Sequence, residues 1–302
     1  MISDYTVLVG DCVDSLRKLG DNEINCCVTS PPYYGLRDYG VDGQIGLEKT
    51  PTEYINKLVT VFREIKRVLR DDGVLWINIG DTYAGSGKGA WNNKEAQIEK
   101  YVADPQGPQS KMPKIWKDIG IKSKDLIGIP WMLAFALRND GWYLRQDIIW
   151  HKPNAMPSSV KDRCTTAHEY LFLLSKSKKY YFNNESIFEK ATYSKNKSFG
   201  RSRDIRTQRN GEFVRNKRSV WSINTRKYRG SHFAVFPPKL IEPCILSSCP
   251  VGGIVLDPFG GTGTTAGVAI ANDRKAIICE LSPEYVNLLP QRIKSITDEY
   301  KN

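Results

Sequence analysis

Short apolar runs alternate with longer stretches of helical period along this chain. Tyr5-Thr6-Val7-Leu8-Val9 reads as a strand, and Gly10-Asp11-Cys12 turns from it into a helix ending near Gly20. Ile24-Asn25-Cys26-Cys27-Val28 is a second strand of buried type, and Pro31-Pro32 stops it, because proline fixes φ and donates no ladder hydrogen bond. A strong helix spans Pro51 to Leu69. Thr50 is its N-cap, Pro51 its first residue and Glu53 completes a capping box, while Tyr54, Ile55, Leu58, Phe62, Ile65 and Leu69 form its apolar face. Asp71-Asp72-Gly73 ends that helix, and Val74 to Ile79 is the next strand. Periodicity is lost over residues 81–123, where Gly, Lys, Asn, Gln and Pro dominate, as expected of a long loop or inserted lid. The pattern then predicts a helix over Leu126–Leu137 and strands over Tyr143–Trp150 and Tyr170–Leu174. Further on it predicts a helix from Pro238 to Leu246, a strand at Ile254-Val255-Leu256, a helix over Thr264–Ala271, a strand over Ala276–Cys279 and a helix over Pro283–Ile296. This alternation predicts an α/β fold with a doubly wound, mainly parallel sheet.

Composition narrows the class. The 302 residues are 40 % hydrophobic, enough for one large domain with a sizeable core. No apolar run reaches the length of a membrane span, and Met1-Ile2-Ser3-Asp4 carries no basic or apolar leader, so neither a membrane anchor nor a signal peptide is expected. Seven scattered cysteines, two of them adjacent, argue against a disulfide framework and for a reducing cytoplasm. Three histidines and no CxxC pair make a structural zinc site unexpected, and no metal site is predicted. The net charge is +11, and its distribution matters more than its size. Residues 176–231 hold sixteen Lys/Arg against four acids, interleaved with Tyr193, Phe199, Phe213, Trp221 and Tyr228. The rest of the chain is close to neutral. Such a segment is the electrostatic footprint expected for nucleic-acid binding; a solvated basic loop or a membrane-surface patch is the plainer alternative.

Two strand ends carry candidate chemistry. After the second strand, Thr29-Ser30-Pro31-Pro32-Tyr33-Tyr34 places a hydroxyl, a carbonyl beside the prolines and an aromatic ring at a carboxyl end, where open α/β sheets bind ligands. The hydroxyl and carbonyl can accept hydrogen bonds from an exocyclic amino group, and Tyr33 can stack on the ring that bears it. The second is the turn Asp257-Pro258-Phe259-Gly260-Gly261-Thr262-Gly263-Thr264-Thr265, between a β-branched strand and a helix N-terminus. Its glycines allow close backbone approach to a ligand, and Glu280, at the end of the next strand, can accept from ribose hydroxyls. A Walker A loop is excluded because its Lys is missing. A dinucleotide turn is allowed by Gly261-Thr262-Gly263-Thr264-Thr265-Ala266 with an acid downstream.

Taken together, Ser30-Pro31-Pro32-Tyr33 and the Asp257–Thr265 string resemble the catalytic and cofactor motifs of S-adenosylmethionine-dependent DNA amino-methyltransferases. Their order, with the Pro-Pro motif first, the basic segment between and the cofactor loop last, is similar to the circularly permuted β-class. The resemblance covers most of the chain and implies a Rossmann-like methyltransferase fold. It divides the chain into a catalytic half over residues 1–175, a target-recognition insertion over 176–231 and a cofactor half over 232–302. It implies that Ser30, Pro31, Pro32 and Tyr33 are catalytic. It places Asp11, Cys12, Thr29, Ser30, His232, Phe233, Asp257, Pro258, Phe259, Gly261, Gly263, Thr264, Thr265, Glu280 and Leu281 at the cofactor. It places Tyr34, His151, Lys152 and Asn154 at the target base, and Arg201, Arg203, Arg206 and Arg209 on the DNA. In bland terms, Asp11 is a helix cap and His151 and His232 are ordinary loop or pocket-edge residues. Pro243-Cys244 is similar to a carbon-5 cytosine methyltransferase nucleophile, but it lies in an apolar helical context and is read as structural.

The implied cofactor is S-adenosylmethionine, and the implied partner is double-stranded DNA with its target base flipped out. A cognate restriction endonuclease is a further partner that the family admits, and the chain is expected to act as monomer or homodimer. In the family, Ser at the first motif position favours cytosine N4, and Asp or Asn favours adenine N6; adenine remains the alternative, since a serine hydroxyl serves either amino group. An NAD-dependent oxidoreductase and a non-catalytic DNA-binding protein are the readings from other classes.

Overall fold

The computed structural model describes residues 4–36, 40–84, 114–191, 205–207, 213–226 and 236–301. Its elements in chain order are β1 (Tyr5–Val9), α1 (Cys12–Leu16), β2 (Ile24–Thr29), α2 (Pro51–Val68), β3 (Leu69–Ile79), α3 (Lys114–Asp118), α4 (Ile129–Asn139), β4 (Tyr143–His151) and β5 (His168–Ser175). A 3₁₀ turn (Asn184–Ile187) follows, then β6 (Glu189–Lys190), β7 (Ile205–Thr207), β8 (Phe213–Arg215) and β9 (Val220–Ser222). The chain closes with α5 (Pro238–Ser248), β10 (Ile254–Asp257), α6 (Thr264–Ala271), β11 (Lys275–Glu280) and α7 (Pro283–Lys301).

Among the described residues, eight strands form one sheet in the order β1-β11-β10-β2-β3-β5-β4-β9, and β6, β8 and β7 form a small second sheet. The expected doubly wound α/β architecture is present. In the eight-stranded sheet pairing is parallel from β1 across to β3 and between β4 and β9, and antiparallel where β5 lies between β3 and β4; the small sheet is antiparallel. β2 shows why both sheet faces must be covered. From Cys26 onward its side chains alternate, Cys26 and Val28 buried in one apolar core and Cys27 in the other, while Ile24, before a register shift in the β2–β3 pairing, lies in the same core as Cys27. The adjacent cysteines therefore face opposite layers. The first core also holds residues of α1, α2 and α4, and the second holds residues of α5, α6 and α7.

The α2 helix follows its sequence signals. Thr50 Oγ1 accepts from Glu53 N at 3.2 Å, and the Glu53 carboxylate reaches back to Lys49 N at 3.1 Å rather than to the cap residue itself. Tyr54, Ile55, Leu58, Phe62 and Ile65 are buried as expected, joined by Val59, Val61 and Val68. At about 1.5–3 kcal/mol for each large side chain fully withdrawn from water, this face holds α2 against the sheet.

Some boundaries differ from the sequence reading. Leu69 already belongs to β3, so Asp71-Asp72-Gly73 lies within that strand, the two aspartates exposed and Gly73 buried, beside a register shift against β2, instead of in a turn. α4 begins at Ile129, because Gly128 takes a left-handed φ of 85° just before it; Leu126 instead bridges to Tyr83 and is exposed. Of the expected lid, residues 85–113 lie outside the described residues, and Lys114–Asp118 is the short helix α3. Part of the basic segment is architectural. Val220–Ser222 extends the main sheet beside β4, and Trp221 is buried with its ring 6.5 Å from that of Trp76. Lys176 Nζ donates to Leu69 O at 2.7 Å and Asn22 Oδ1 at 2.6 Å, while Arg215 and Arg218 both pair with Glu189.

Candidate active site

β2 and β10 are neighbours at the point where the chain's path across the sheet reverses, one leading to β3 and the other to β11. The Pro-Pro turn and the glycine-rich turn are far apart in sequence, Thr29 and Asp257 being separated by 228 positions. They nonetheless leave adjacent strand ends and open into one crevice. A cavity of about 330 Å³ there is lined by Asp11, Cys12, Ser30, Pro31, Pro32, Tyr33, Lys152, Asp257, Pro258, Phe259, Gly261, Thr264, Glu280 and Leu281, among others. Most of the residues singled out by sequence thus share one cavity wall.

Asp257 organises the cofactor side. It is buried, and its carboxylate accepts from Thr29 Oγ1 at 2.7 Å, Thr265 Oγ1 at 2.6 Å and Phe259 N at 3.1 Å. Thr29 and Thr265 are expected to touch the cofactor, yet both spend their hydroxyls on Asp257, which ties the end of β2 to the glycine turn. Burial raises the Asp257 carboxyl above its ordinary range, against the pull of these three donors. Gly263 caps α6 with φ 81°; a Cβ there would lie 2.7 Å from Leu289, so this glycine serves packing against α7. A Cβ on Gly260 would fall 1.6 Å from Ile278 Cγ2, so the turn fits against β11 only without a side chain.

The cavity wall suits S-adenosylmethionine. Glu280 Oε2 accepts from Gly261 N at 2.7 Å and Oε1 from Ser282 N at 2.8 Å, which fixes the carboxylate at the cavity with lone pairs to spare for two hydroxyls. Burial raises its pKa. Thr262 and Thr264 line the cavity, and their buried hydroxyls have no hydrogen-bond partner among the described residues. Beside the N-terminus of α6 they are fitted to an anionic or polar group such as an amino-acid carboxylate. Asp11 caps α1 through Val13 N (2.8 Å) and Asp14 N (3.1 Å), and it also lines the cavity, so the cap and cofactor readings hold together. The Cys12 thiol is pushed up to about 12, chiefly by burial, and contributes surface rather than a nucleophile.

On the other side of the cavity, Tyr54 Oη donates to Pro32 O at 2.7 Å and pins the turn to α2. Tyr33 Oη donates to Glu169 Oε2 at 2.7 Å, and the Ser30 hydroxyl faces the same phenolic oxygen. Burial and the Glu169 carboxylate push the Tyr33 phenol well up, so it stays protonated and donates. Lys152 pairs with Glu169 and lies over the Trp150 ring, 4.3 Å from its centroid.

Three residues expected at the target base sit elsewhere. Tyr34 is buried at 4 % exposure between Tyr54 and Trp116, because the chain turns after Tyr33 and sends the next side chain into the core. His151 Nδ1 lies 3.0 Å from Ser222 Oγ across the β4–β9 pair, and Asn154 clamps Thr225 through its backbone N–H (2.9 Å) and carbonyl (3.1 Å). Both hold β9 and the loop after it. His232, Phe233, Arg201, Arg203 and Arg209 lie outside the described residues; Arg206 is on β7, and only its backbone is described. Cys244 is buried in α5, as the structural reading requires. Sequence reasoning missed Asn78, Glu169, Phe236 and Tyr285 on the cavity wall. Alternation on β3 could have flagged Asn78, a polar residue in an otherwise apolar run.

The chain matches the DNA methylase family over residues 24–291. It is 48 % identical to the Type II methyltransferase M.Cfr9I of Citrobacter freundii, over 97 % of this chain and 89 % of that one. It is 47 % identical to the Type II methyltransferase M.SmaI of Serratia marcescens, over 95 % and 90 % of the two chains. Among solved structures, the cytosine-N4-specific PvuII DNA methyltransferase superposes with a TM-score of 0.65 at 19 % identity, covering 99 % of this chain and 92 % of the other. A DNA modification methylase of Thermus thermophilus, complexed with S-adenosyl-L-methionine, gives 0.57 at 23 % identity, covering 96 % and 95 %. These last two likenesses concern the fold.

Proposed function

This chain belongs to the DNA methylase family, and from that premise we propose that it transfers a methyl group from S-adenosylmethionine to the exocyclic N4 of a cytosine flipped out of double-stranded DNA. The observation that carries this reading is the shared cavity, where the Ser30-Pro31-Pro32-Tyr33 strand end faces the glycine turn and Glu280. S-adenosylmethionine would supply an electrophilic methyl group, its S–CH3 bond breaking to leave S-adenosylhomocysteine as the N–CH3 bond forms, with one amino proton released to solvent. Glu280 would accept from its ribose, and Thr262 and Thr264 would donate to its amino-acid end. The amino nitrogen of cytosine is a poor nucleophile, because its lone pair is delocalised into the ring. The Ser30 hydroxyl and the Pro31 carbonyl accept its two N–H bonds and favour the pyramidal nitrogen, while the Tyr33 ring stacks on the base. Positioning and electrostatics supply the acceleration, with no covalent enzyme intermediate. A paired base cannot enter a cavity of this kind, so flipping is required.

The cytosine-N4-specific activity of the PvuII enzyme that shares the fold supports cytosine, and the motif beginning at Ser30 resembles that of the family's cytosine-N4 members, although its hydroxyl alone does not choose the base. The same geometry serves adenine N6, the second reading. The DNA methylase match leaves neither the oxidoreductase nor a purely DNA-binding role as the better account. Residues 1–175 and 232–302 would be the catalytic and cofactor halves. Residues 176–231 would carry target recognition, with Arg and Lys on phosphates and base edges. A cognate endonuclease is proposed because the relatives are Type II methyltransferases. Among the described residues no helix is long and apolar enough to cross a membrane. Action on DNA in the cytoplasm is part of the proposal, supported by seven free cysteines, which suit a reducing compartment.

Nucleoside mass spectrometry of plasmid DNA incubated with the protein and S-adenosylmethionine tests the reading. N4-methylcytosine is expected. N6-methyladenine would move the target to the second reading, and no methylated base under conditions of measured cofactor binding would overturn both.

A further inference from the structure

A charged cluster at the base side of the cavity belongs to neither sequence motif. Glu169 stands on β5, 136 residues from Tyr33. Its Oε2 accepts from Tyr33 Oη at 2.7 Å and from Asn78 Nδ2 at 3.2 Å, and its Oε1 accepts from Lys152 Nζ. The Glu169 and Lys152 side chains are only 16 % and 17 % exposed, and Tyr33, Asn78, Trp150, Lys152 and Glu169 all line the cavity. Asn78 also donates to Tyr170 O at 3.1 Å, which fixes its amide. A secluded ion pair of this kind is a poor device for stability, since desolvating both charges consumes most of the attraction. A few placed polar groups in an otherwise apolar cavity instead serve to orient a ligand.

Resting on the cytosine reading above, we infer that Glu169 is a positioning residue that aims Lys152 at the O2 atom of the flipped base and holds Tyr33 in its stacking plane. An ammonium group has three N–H donors. Glu169 takes one, the Trp150 ring supports the cation from one side, and the remaining donors are left for a ligand in the cavity that Lys152 lines. The Watson–Crick edge of cytosine runs from the N4 amino group through the acceptor N3 to the acceptor O2. Adenine presents an amino group and an acceptor in the same order, but ends in C2–H. With the amino group held at Ser30 and Pro31, a donor farther along the edge meets an oxygen in cytosine and a carbon in adenine. Discrimination then comes from Lys152 and not from Ser30, whose hydroxyl accepts equally from either amino group. Glu169 does not touch the base; it acts through Lys152 and Tyr33.

The test is single-turnover methylation by the full chain. The duplexes carry, at the mapped methylation position, either cytosine or a 2-aminopyridine C-nucleoside, joined through the ring carbon para to the amino-bearing carbon, that keeps the amino group and the adjacent ring nitrogen but lacks O2. Wild type is expected to lose about tenfold or more on the analogue, the scale set by leaving a placed donor unpaired. Lys152→Met should lose a similar factor on cytosine and little more on the analogue, so that the two losses are not additive. Glu169→Gln should keep its affinity for S-adenosylmethionine, measured calorimetrically, while its discrimination between the two bases shrinks. A merely structural role would lower both rates alike. Equal losses for Lys152→Met on both bases, or a wild type indifferent to the analogue, would overturn the inference. The wild-type comparison needs no variant to fold. A wild type that makes no N4-methylcytosine in plasmid DNA refutes the cytosine reading itself, which is a separate outcome.

Discussion

Asp257→Ala probes the joint between the two halves of the site. The substitution removes the acceptor of three donors at once: Thr29 Oγ1, Thr265 Oγ1 and Phe259 N. The Thr265 hydroxyl has a second acceptor within reach, Val28 O at 3.5 Å. The Phe259 amide can find another only if the glycine turn moves. Each stranded buried donor costs about 1–3 kcal/mol, so three give roughly 3–9 kcal/mol. Against this stands the relieved desolvation of the carboxylate, which its raised pKa reveals and which amounts to several kcal/mol for a buried ion. The expected net loss is about 2–4 kcal/mol. Asp257→Asn keeps an oxygen for Thr29 and Phe259 N and sheds the buried charge, so its loss should be about 1 kcal/mol or less. Urea titration of both variants, followed by tryptophan fluorescence, reads the difference, and calorimetric titration with S-adenosylmethionine reads the turn. The alanine variant should bind the cofactor much more weakly, because the turn is no longer tied to β2. If alanine proves as stable as asparagine and binds the cofactor as wild type does, the carboxylate does not organise the turn.

Gly260→Ala should abolish cofactor binding while the chain still folds, because the new methyl would sit 1.6 Å from Ile278 and displace the turn from β11; calorimetry and circular dichroism check this. The Glu280 carboxyl is raised above its ordinary 4.5 by burial, so the folded chain holds that proton more firmly than the unfolded one. Stability from this group is therefore fully present below about 4.5 and lost as pH rises through the folded value, whereas cofactor affinity rises over the same window; Glu280→Gln should flatten the stability profile measured by thermal melting across pH. Ser30→Ala should lower turnover in a tritium-transfer assay far more than it lowers cofactor affinity, and equal losses would contradict its place at the amino group. Tyr34→Ala should destabilise the chain by about 3–5 kcal/mol in urea through lost packing on Tyr54 and Trp116, whereas Tyr34→Phe should leave turnover near wild type.

The site was legible where local chemistry dictates backbone shape. Two prolines ending an apolar run mark a strand end, and a Gly-Gly-Thr-Gly turn before a helix marks a close approach; both stand where they were expected, and Glu280 beside them. Residues whose role depends on long-range register were not legible. Glu169 sits in a run, His168-Glu169-Tyr170, with no unusual local feature, and only the antiparallel insertion of β5 between β3 and β4 brings it to Tyr33. Tyr33 and Tyr34 are indistinguishable in sequence, yet one faces the cavity and the other the core. The basic segment mixes two kinds of charge that a count does not separate. Charge counting treats every Lys and Arg alike, but Lys176 serves backbone carbonyl and amide oxygens, and Arg215 and Arg218 share the single carboxylate of Glu189.

The strand order carries a timetable. β1 precedes the other described strands, but its neighbour in the sheet is β11, the last of them in chain order, and β10 also arrives late to fill the gap beside β2. At about 5–20 residues per second, roughly 15–50 s separate the synthesis of Tyr5 from that of its partner Ala276. The block β2-β3-β5-β4 can pair during that interval, which leaves the edge of β2 bare on the side that β10 will occupy. A bare, apolar central strand is a template for pairing with other chains. A growing copy of this protein therefore depends on protection from its neighbours until β10 and β11 have left the ribosome.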